Sequence, residues 1–212
     1  ADVFINLESD SQEMLIKGFS NAELEAILDE MFLDDTIDVI EEMPANVVKR
    51  ILKYSDPETR SEINKILQYP EDSAGSLMTT EFIRLRRGTT VAGAFDVIRQ
   101  KGDDSETINV SYVTDEERHL IGYVTIRTLV LEKDTSALIG DIMEPNVISA
   151  RTTDDKESVV QRMSKYDFDT MPVVDAEDRL VGIITFDDAI DVIEEEATED
   201  IEKMAAITPS DR

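Results

Sequence analysis

Met171-Pro172-Val173-Val174-Asp175 followed by Leu180-Val181-Gly182-Ile183-Ile184-Thr185 decides how this chain is read, because the chain contains the pattern twice. The earlier copy is Tyr112-Val113-Thr114-Asp115 followed by Leu120-Ile121-Gly122-Tyr123-Val124-Thr125, and every matched position is displaced by the same interval. Each copy offers two short β-branched runs bounded by polar turn residues, the mark of paired strands. Upstream, Leu77-Met78-Thr79 with Phe82-Ile83 matches Ile142-Met143-Glu144 with Val147-Ile148. A duplicated α/β unit of about 60 residues is longer than most solenoid repeats. It predicts two pseudo-symmetric halves packed face to face.

The residues before this pair have another texture. Ser20-Asn21-Ala22-Glu23 fits a capping box, and Leu24, Ile27, Leu28 and Met31 follow at helical spacing. Ile37, Ile40 and Met43 form the next stripe. Pro44 is expected in the first turn of a third helix carrying Val47, Val48, Ile51 and Leu52. Asp56-Pro57 opens a fourth, with Ile63, Ile66 and Leu67 as its buried face. Helices this short are marginal alone and must pack on one another, so residues 1–69 are expected to form an α-helical superhelix. Tyr69-Pro70-Glu71-Asp72-Ser73-Ala74-Gly75-Ser76 reads as a turn-rich linker.

Charge narrows the function. The 212 residues hold 48 Asp+Glu against 21 Lys+Arg, a formal net charge of -27. Such a surface repels nucleic acid and anionic lipid. Cys and Trp are absent and His119 is the single histidine, which removes disulfides and the usual Cys- and His-rich zinc and copper sites. A metal ion bound through the remaining donors is a hard, oxygen-seeking one such as Mg²⁺ or Ca²⁺. No apolar run approaches the roughly 20 residues that span a bilayer, and no signal peptide is visible. The start at Ala1 without Met gives the chain the look of a fragment of a longer protein.

The acids cluster. Asp187 to Glu202 holds nine carboxylates and no Lys or Arg, over an apolar stripe of Ala189, Ile190, Val192, Ile193, Ala197 and Ile201. Helical spacing aligns Asp188, Asp191, Glu195 and Glu199, sets Asp187, Asp191 and Glu194 beside them, and pairs Glu196 with Asp200. Two carboxylates about 4 Å apart repel by roughly 4 kcal/mol at an effective dielectric constant of about 20. A bridging divalent cation reverses the sign, and Mg²⁺ needs only one or two carboxylates because it keeps several waters. The run reads equally as a solvated helix face, and Thr185-Phe186-Asp187-Asp188 fits a helix-capping box with Asp in the acidic position. A second set, Asp34, Asp35 and Asp38 with Glu41 and Glu42, lies in the helical part. Acids near a helix start are also favoured by its dipole alone.

The repeat resembles the cystathionine-β-synthase (CBS) domain, which occurs in tandem pairs. Together with the helical part, the chain is similar to the cytosolic region of the MgtE family of magnesium transporters. That closer likeness rests on Glu71-Asp72-Ser73-Ala74-Gly75-Ser76-Leu77-Met78-Thr79, Tyr166-Asp167-Phe168, Pro172-Val173-Val174-Asp175 and Glu196-Ala197-Thr198-Glu199-Asp200-Ile201. The resemblance implies an α+β chain: a helical N domain over 1–69, a linker over 70–76, CBS domains over 77–139 and 140–194, and an acidic connecting helix over 195–212. It implies a Mg²⁺-sensing region that gates transport, on the cytoplasmic face of the cell membrane, without catalysis of its own. Its implied partners are a second copy, bound through the CBS domains, and a transmembrane domain of the full-length chain. The positions matching the family's Mg²⁺ ligands are Asp34, Asp38, Glu157, Asp167, Asp188, Asp191, Glu196, Glu199 and Asp200.

CBS pairs also bind adenine nucleotides such as ATP. The family's ribose-reading pattern matches Gly182, Thr185 and Asp188; in the first copy Gly122 and Thr125 match, but Thr128 replaces the acid. Val110 stands where nucleotide-binding members carry an aromatic residue. The alternative function is therefore a soluble nucleotide sensor acting on a partner protein. Catalysis lacks a motif: no nucleophile elbow, P-loop or dinucleotide fingerprint occurs. His119, among Glu116, Glu117 and Arg118, reads as an exposed residue of a hairpin loop, and Met143, Met163 and Met171 read as core packing.

Overall fold

The computed structural model describes residues 2–5, 7 and 9–204, without the side chains of Asp2, Glu199, Asp200, Glu202 and Met204. It divides into two compact units, 1–69 and 70–212.

The first unit is helical: α1 (Asp2–Ile5), α2 (Ser9–Gly18), α3 (Asn21–Leu28), α4 (Leu33–Glu42), α5 (Ala45–Tyr54) and α6 (Pro57–Ile66). Helix α2 packs on α4 and α5, α3 on α5, and α4 on α6, so each helix meets those two or three further along, as in a superhelix. Ile16, Leu24, Ile37, Ile51, Ile63 and Ile66 are fully buried between them. The capping box forms: Glu23 N–H donates to Ser20 Oγ (3.3 Å) and Ser20 N–H to Glu23 Oε2 (2.8 Å). Asp56 accepts the N–H groups of Glu58 (2.8 Å) and Thr59 (3.2 Å), with Pro57 in the first turn where no donor is needed. Two expectations shift slightly. Pro44 is the N-cap residue of α5, one place before its first turn, and Leu67 is exposed just past the end of α6.

The second unit contains the two repeats. The first comprises β1 (Arg84–Arg86), α8 (Val91–Lys101), a short 3₁₀ turn, β2 (Val110–Thr114), β3 (Leu120–Thr125) and α9 (Ile126–Leu131). The second comprises β4 (Ala150–Arg151), α11 (Lys156–Tyr166), β5 (Thr170–Val174), β6 (Leu180–Thr185) and α12 (Phe186–Met204). Two further short helices, α7 (Ala74–Leu77) and α10 (Ile139–Ile142), lead into them. The sheets have the same order, β1-β2-β3 and β4-β5-β6, with a parallel and then an antiparallel pair. Register repeats as well: Val113 faces Gly122, Val173 faces Gly182, and each hairpin has a bulge one step later. The hairpins meet tip to tip, where Leu120 N–H donates to Asp178 O (3.1 Å) and Leu180 N–H to Arg118 O (3.0 Å).

The two halves exchange their leading segments. Thr79, ahead of the first repeat, pairs with Ile183 of β6 through two 2.9 Å hydrogen bonds. Glu144, ahead of the second, pairs with Tyr123 of β3 at 3.0 and 2.8 Å. These crossings explain the repeated glycine. A Cβ on Gly182 would lie 2.6 Å from Met78 Sδ and 2.8 Å from Thr79 O; on Gly122 it would lie 2.7 Å from Met143 Sδ and 2.9 Å from Glu144 O. The segment expected as a linker is thus built into the second unit. Ala74 is buried, its N–H donates to Asp154 O (2.7 Å), and Gly75 N–H donates to Thr152 O (3.0 Å). Helix α12 also runs unbroken through residue 194, where a new element was expected, and the end of that expected helix, 205–212, lies outside the described residues. Among the described residues no helix is long and apolar enough to cross a membrane.

Candidate acidic helix and inter-repeat cavity

Helix α12 carries the acidic run. Ala189 and Val192 are buried, and the helix packs on α11. Of the expected apolar stripe, Ile190, Ile193 and Ile201 instead remain exposed. Asp187 and Asp188 occupy the first turn, where the helix dipole favours negative charge. Thr185, at the end of β6, donates its hydroxyl to the Asp188 carboxylate, a side-chain bond that differs from the backbone bonds of a capping box. One turn on, the Asp191 carboxyl is pushed above its ordinary range, first by desolvation and then by Glu194 and Asp187. That shift reflects burial first, and crowding of like charge on one helix face second. A cation of the protein itself answers part of it: Lys156, at the start of α11 and largely covered, places Nζ 3.5 Å from Glu195 Oε2 and 3.8 Å from Asp72 Oδ1. Nothing in the spacing of the sequence ties residue 156 to residue 195, so the role of this lysine is legible only in the fold.

The other candidate ligands scatter. Glu157 lies in the first turn of α11, beside Lys156. Asp167 ends the same helix in a left-handed conformation (φ 53°, ψ 48°). Glu196 is half-buried on α12. Asp34 and Asp38 belong to α4 of the N-terminal unit, where the Asp34 carboxylate accepts the N–H of Asp35 at 2.9 Å. The side chains of Glu199 and Asp200 lie outside the described residues. All of these donors are carboxylate oxygens, the set that suits Mg²⁺.

A cavity of about 350 Å³ lies between the repeats, lined by Tyr112, Tyr123, Thr125, Asn146, Asp167 and Phe168 among others. Its size falls within the usual range for small-molecule sites. Tyr112 and Thr170 join the two repeats at its wall through a 2.8 Å hydroxyl–hydroxyl bond, and burial pushes the Tyr112 phenol well above its ordinary pKa. Thr125 caps α9 by accepting the N–H of Thr128 (3.1 Å), and their hydroxyls are 3.0 Å apart. The cavity therefore sits on the copy of the pattern that lacks the acid. Thr185 and Asp188, the residues expected to read a ribose, do not line it; Thr185 is buried and bonded to Asp188. Aromatic surface missing at Val110 is present on Phe168, which stacks on Tyr166 at 5.7 Å. The only signal for it in the sequence was Tyr166-Asp167-Phe168 itself.

Residues 1–72 match the family described as the MgtE intracellular N domain, and residues 74–133 and 139–195 match the CBS domain. Over 183 residues the chain is 43% identical to the magnesium transporter MgtE of Thermus thermophilus, covering 84% of this chain and 40% of that protein. It is 32% identical over 205 residues to MgtE of Bacillus subtilis, covering 97% and 45%. The chain thus spans under half the length of these relatives. The crystal structure of the cytosolic domain of the Mg²⁺ channel MgtE in complex with ATP superposes with a TM-score of 0.84 at 38% identity, covering 90% of this chain and 78% of that one. The soluble part of a magnesium transporter gives 0.86 at 36%, covering 92% and 77%.

Proposed function

The chain belongs to the MgtE family, as an N domain followed by a CBS pair, and from that premise we propose that it is the Mg²⁺-sensing region that gates a magnesium transporter. It does so by moving acidic surfaces together or apart, with no catalytic step. The observation that carries this reading is the acidic run on α12, where desolvation first and then Glu194 and Asp187 raise the Asp191 carboxyl above its ordinary range. Repulsion of that kind is a stored force that a divalent cation relieves. Asp188, Asp191, Glu196, Glu199 and Asp200 on α12, Glu157 and Asp167 at the ends of α11, and Asp34 and Asp38 on α4 supply the oxygen donors.

Magnitudes require several ions. One weak site, with free Mg²⁺ at about five times its Kd, contributes roughly 1 kcal/mol. Moving a gate from 1:99 to 99:1 takes about 5.5 kcal/mol, so about five such ions act together. In the full-length protein the gate would be a transmembrane domain, with this region on the cytoplasmic face. Exposed apolar residues on the CBS pair, Val130 and Leu131 of α9 and Phe186, Ile190 and Ile193 of α12, are the ones through which two copies would pair. Calorimetric titration with Mg²⁺ tests the sensor: several weakly bound ions are expected, with fewer in a D188N/D191N variant. Unchanged stoichiometry and affinity in that variant would remove α12 from the mechanism.

Adenine nucleotide is the second ligand supported by a specific observation, the cavity beside Thr125 and Phe168, in a chain similar to one solved with ATP. Titration with ATP and AMP in the same calorimeter separates the two ligands. Nucleotide binding without any Mg²⁺ response would favour a soluble sensor acting on a partner protein.

A further inference from the structure

The two hairpin tips are built alike and differ in one side chain. In the second, Asp175 Oδ1 accepts the N–H groups of Glu177 (3.0 Å) and Arg179 (2.9 Å). The Arg179 guanidinium then fills the space between the carboxylates, with Nε 2.8 Å from Asp175 Oδ2 and Nη2 2.7 Å from Glu177 Oε2. In the first, Asp115 Oδ1 accepts the N–H groups of Glu117 (3.0 Å) and His119 (2.8 Å). Its Oδ2 faces His119 Nδ1 at 2.9 Å, and Glu117 Oε2 lies 3.8 Å from the same nitrogen. His119 and Arg179 pair directly across the junction between the tips, which places them at equivalent positions. The second tip thus shows what this turn accommodates: a cation held by two carboxylates. The first tip keeps the carboxylates and puts an imidazole, which carries a lone pair when neutral, where the fixed cation was.

We propose that Asp115, Glu117 and His119 form a binding site for a divalent transition-metal cation of the Zn²⁺, Co²⁺ or Ni²⁺ class, in the place taken by the Arg179 guanidinium in the other hairpin. The ligand atoms of the three residues lie within 4.8 Å of one another. A metal bonded at about 2.1 Å sets neighbouring ligands roughly 3.0–3.4 Å apart; the two separations at Nδ1, 2.9 and 3.8 Å, lie on either side of that range, and the exposed Glu117 side chain would close in to bind. An imidazole with two carboxylates suits first-row metals and disfavours Mg²⁺, which seeks oxygen alone. The site is independent of the acidic helix, so its ion and the Mg²⁺ of the sensor would not compete. An ion there would also neutralise charge beside Asp178, whose backbone carbonyl accepts the Leu120 N–H across the junction.

Because His119 is the only histidine, its ring resonances in the ¹⁵N-labelled 212-residue chain report the site without ambiguity. Titration with ZnCl₂ in saturating MgCl₂ is expected to shift the ring nitrogens at submillimolar Zn²⁺. E117Q, whose carboxylate holds no backbone N–H in the turn, should weaken the response by about tenfold or more. H119R should fold, since the second tip already contains that arrangement, and should bind no Zn²⁺ at the hairpin amides. A ring that responds to protons but not to Zn²⁺ up to about millimolar, or a Zn²⁺ affinity unchanged by E117Q and H119R, would overturn the proposal.

Discussion

Ser20 and Glu23 fasten the start of α3 to each other, and the fastening depends on pH. The Glu23 carboxyl is held below its ordinary pKa by hydrogen bonds from Ser20. A depressed carboxylate contributes stability above its unfolded pKa and loses it as pH falls through the lower, folded value. Ser20→Ala should cost about 1 kcal/mol of local stability near neutral pH, read by hydrogen exchange over residues 21–28. The gap between variant and parent should close at acid pH; a gap constant down to acid pH would show that the box does not couple to Glu23. At the crossing of the exchanged segments the argument is steric. Gly182→Ala drives a methyl into Thr79 O, a backbone atom of a paired segment that has little freedom to yield. A loss of about 1–3 kcal/mol in urea unfolding is expected, with Gly122→Ala similar. No shift in the unfolding midpoint would mean that the segments cross less tightly. In the cavity, Phe168→Ala should weaken ATP binding by about tenfold, the order expected for losing one aromatic–base stack, while Thr185→Ala leaves it unchanged. The reverse pattern in calorimetry would move the nucleotide to the other half of the pair.

Elements divide into those with a periodic signature and those defined by a partner. Strands β2, β3, β5 and β6 were legible because each is a β-branched run bounded by turns, and four helices of the first unit by their apolar spacing, with caps marking the starts of α3 and α6. Strands β1 and β4 have three and two residues, and they exist only through parallel pairing with β2 and β5. No local pattern marks so short a strand. The exchanged segments were invisible for the same reason: Leu77-Met78-Thr79 was recognisable as a repeat of Ile142-Met143-Glu144, but repetition does not say which half a segment joins. For α12 the acids were legible and their surroundings were not, since Lys156 approaches Glu195 through folding alone. The helix yields a prediction of opposite signs. The raised Asp191 pKa means that the fold gives up stability as pH rises from the ordinary carboxylate value through the raised one. In EDTA at neutral pH, Asp191→Asn should therefore stabilise α12 by a few tenths of a kcal/mol for each like-charge neighbour relieved, about 0.2–0.5. In saturating Mg²⁺ the same variant should be less stabilised than the parent, because a ligand is gone. Thermal melts in both buffers give the two differences; the same sign in each would mean that Asp191 does not bind the ion.

Over the whole molecule the balance is set by net charge. Residues 1–69 hold 16 acidic and 6 basic side chains, and residues 70–212 hold 32 and 15. Both units are therefore strongly negative, and bringing them together costs electrostatic work that salt reduces only partly once surfaces lie within a Debye length of about 8 Å. Monovalent salt and Mg²⁺ should act differently on that work. Screening by NaCl changes it gradually and without a threshold. Carboxylates that share a divalent ion convert repulsion to attraction, and several such sites acting together give a steep response. Small-angle scattering of the chain at fixed ionic strength should show the radius of gyration falling over a narrow interval of Mg²⁺ near millimolar. Replacing Mg²⁺ with NaCl of equal ionic strength should give only a shallow drift. Neutralising Asp188, Asp191 and Asp34 together should flatten the Mg²⁺ curve toward the NaCl one, since each lost ion removes roughly 1 kcal/mol from a transition needing about 5.5. Superimposable Mg²⁺ and NaCl curves would reduce the acidic surfaces to a solvated coat and leave the cavity between the repeats as the sensing element.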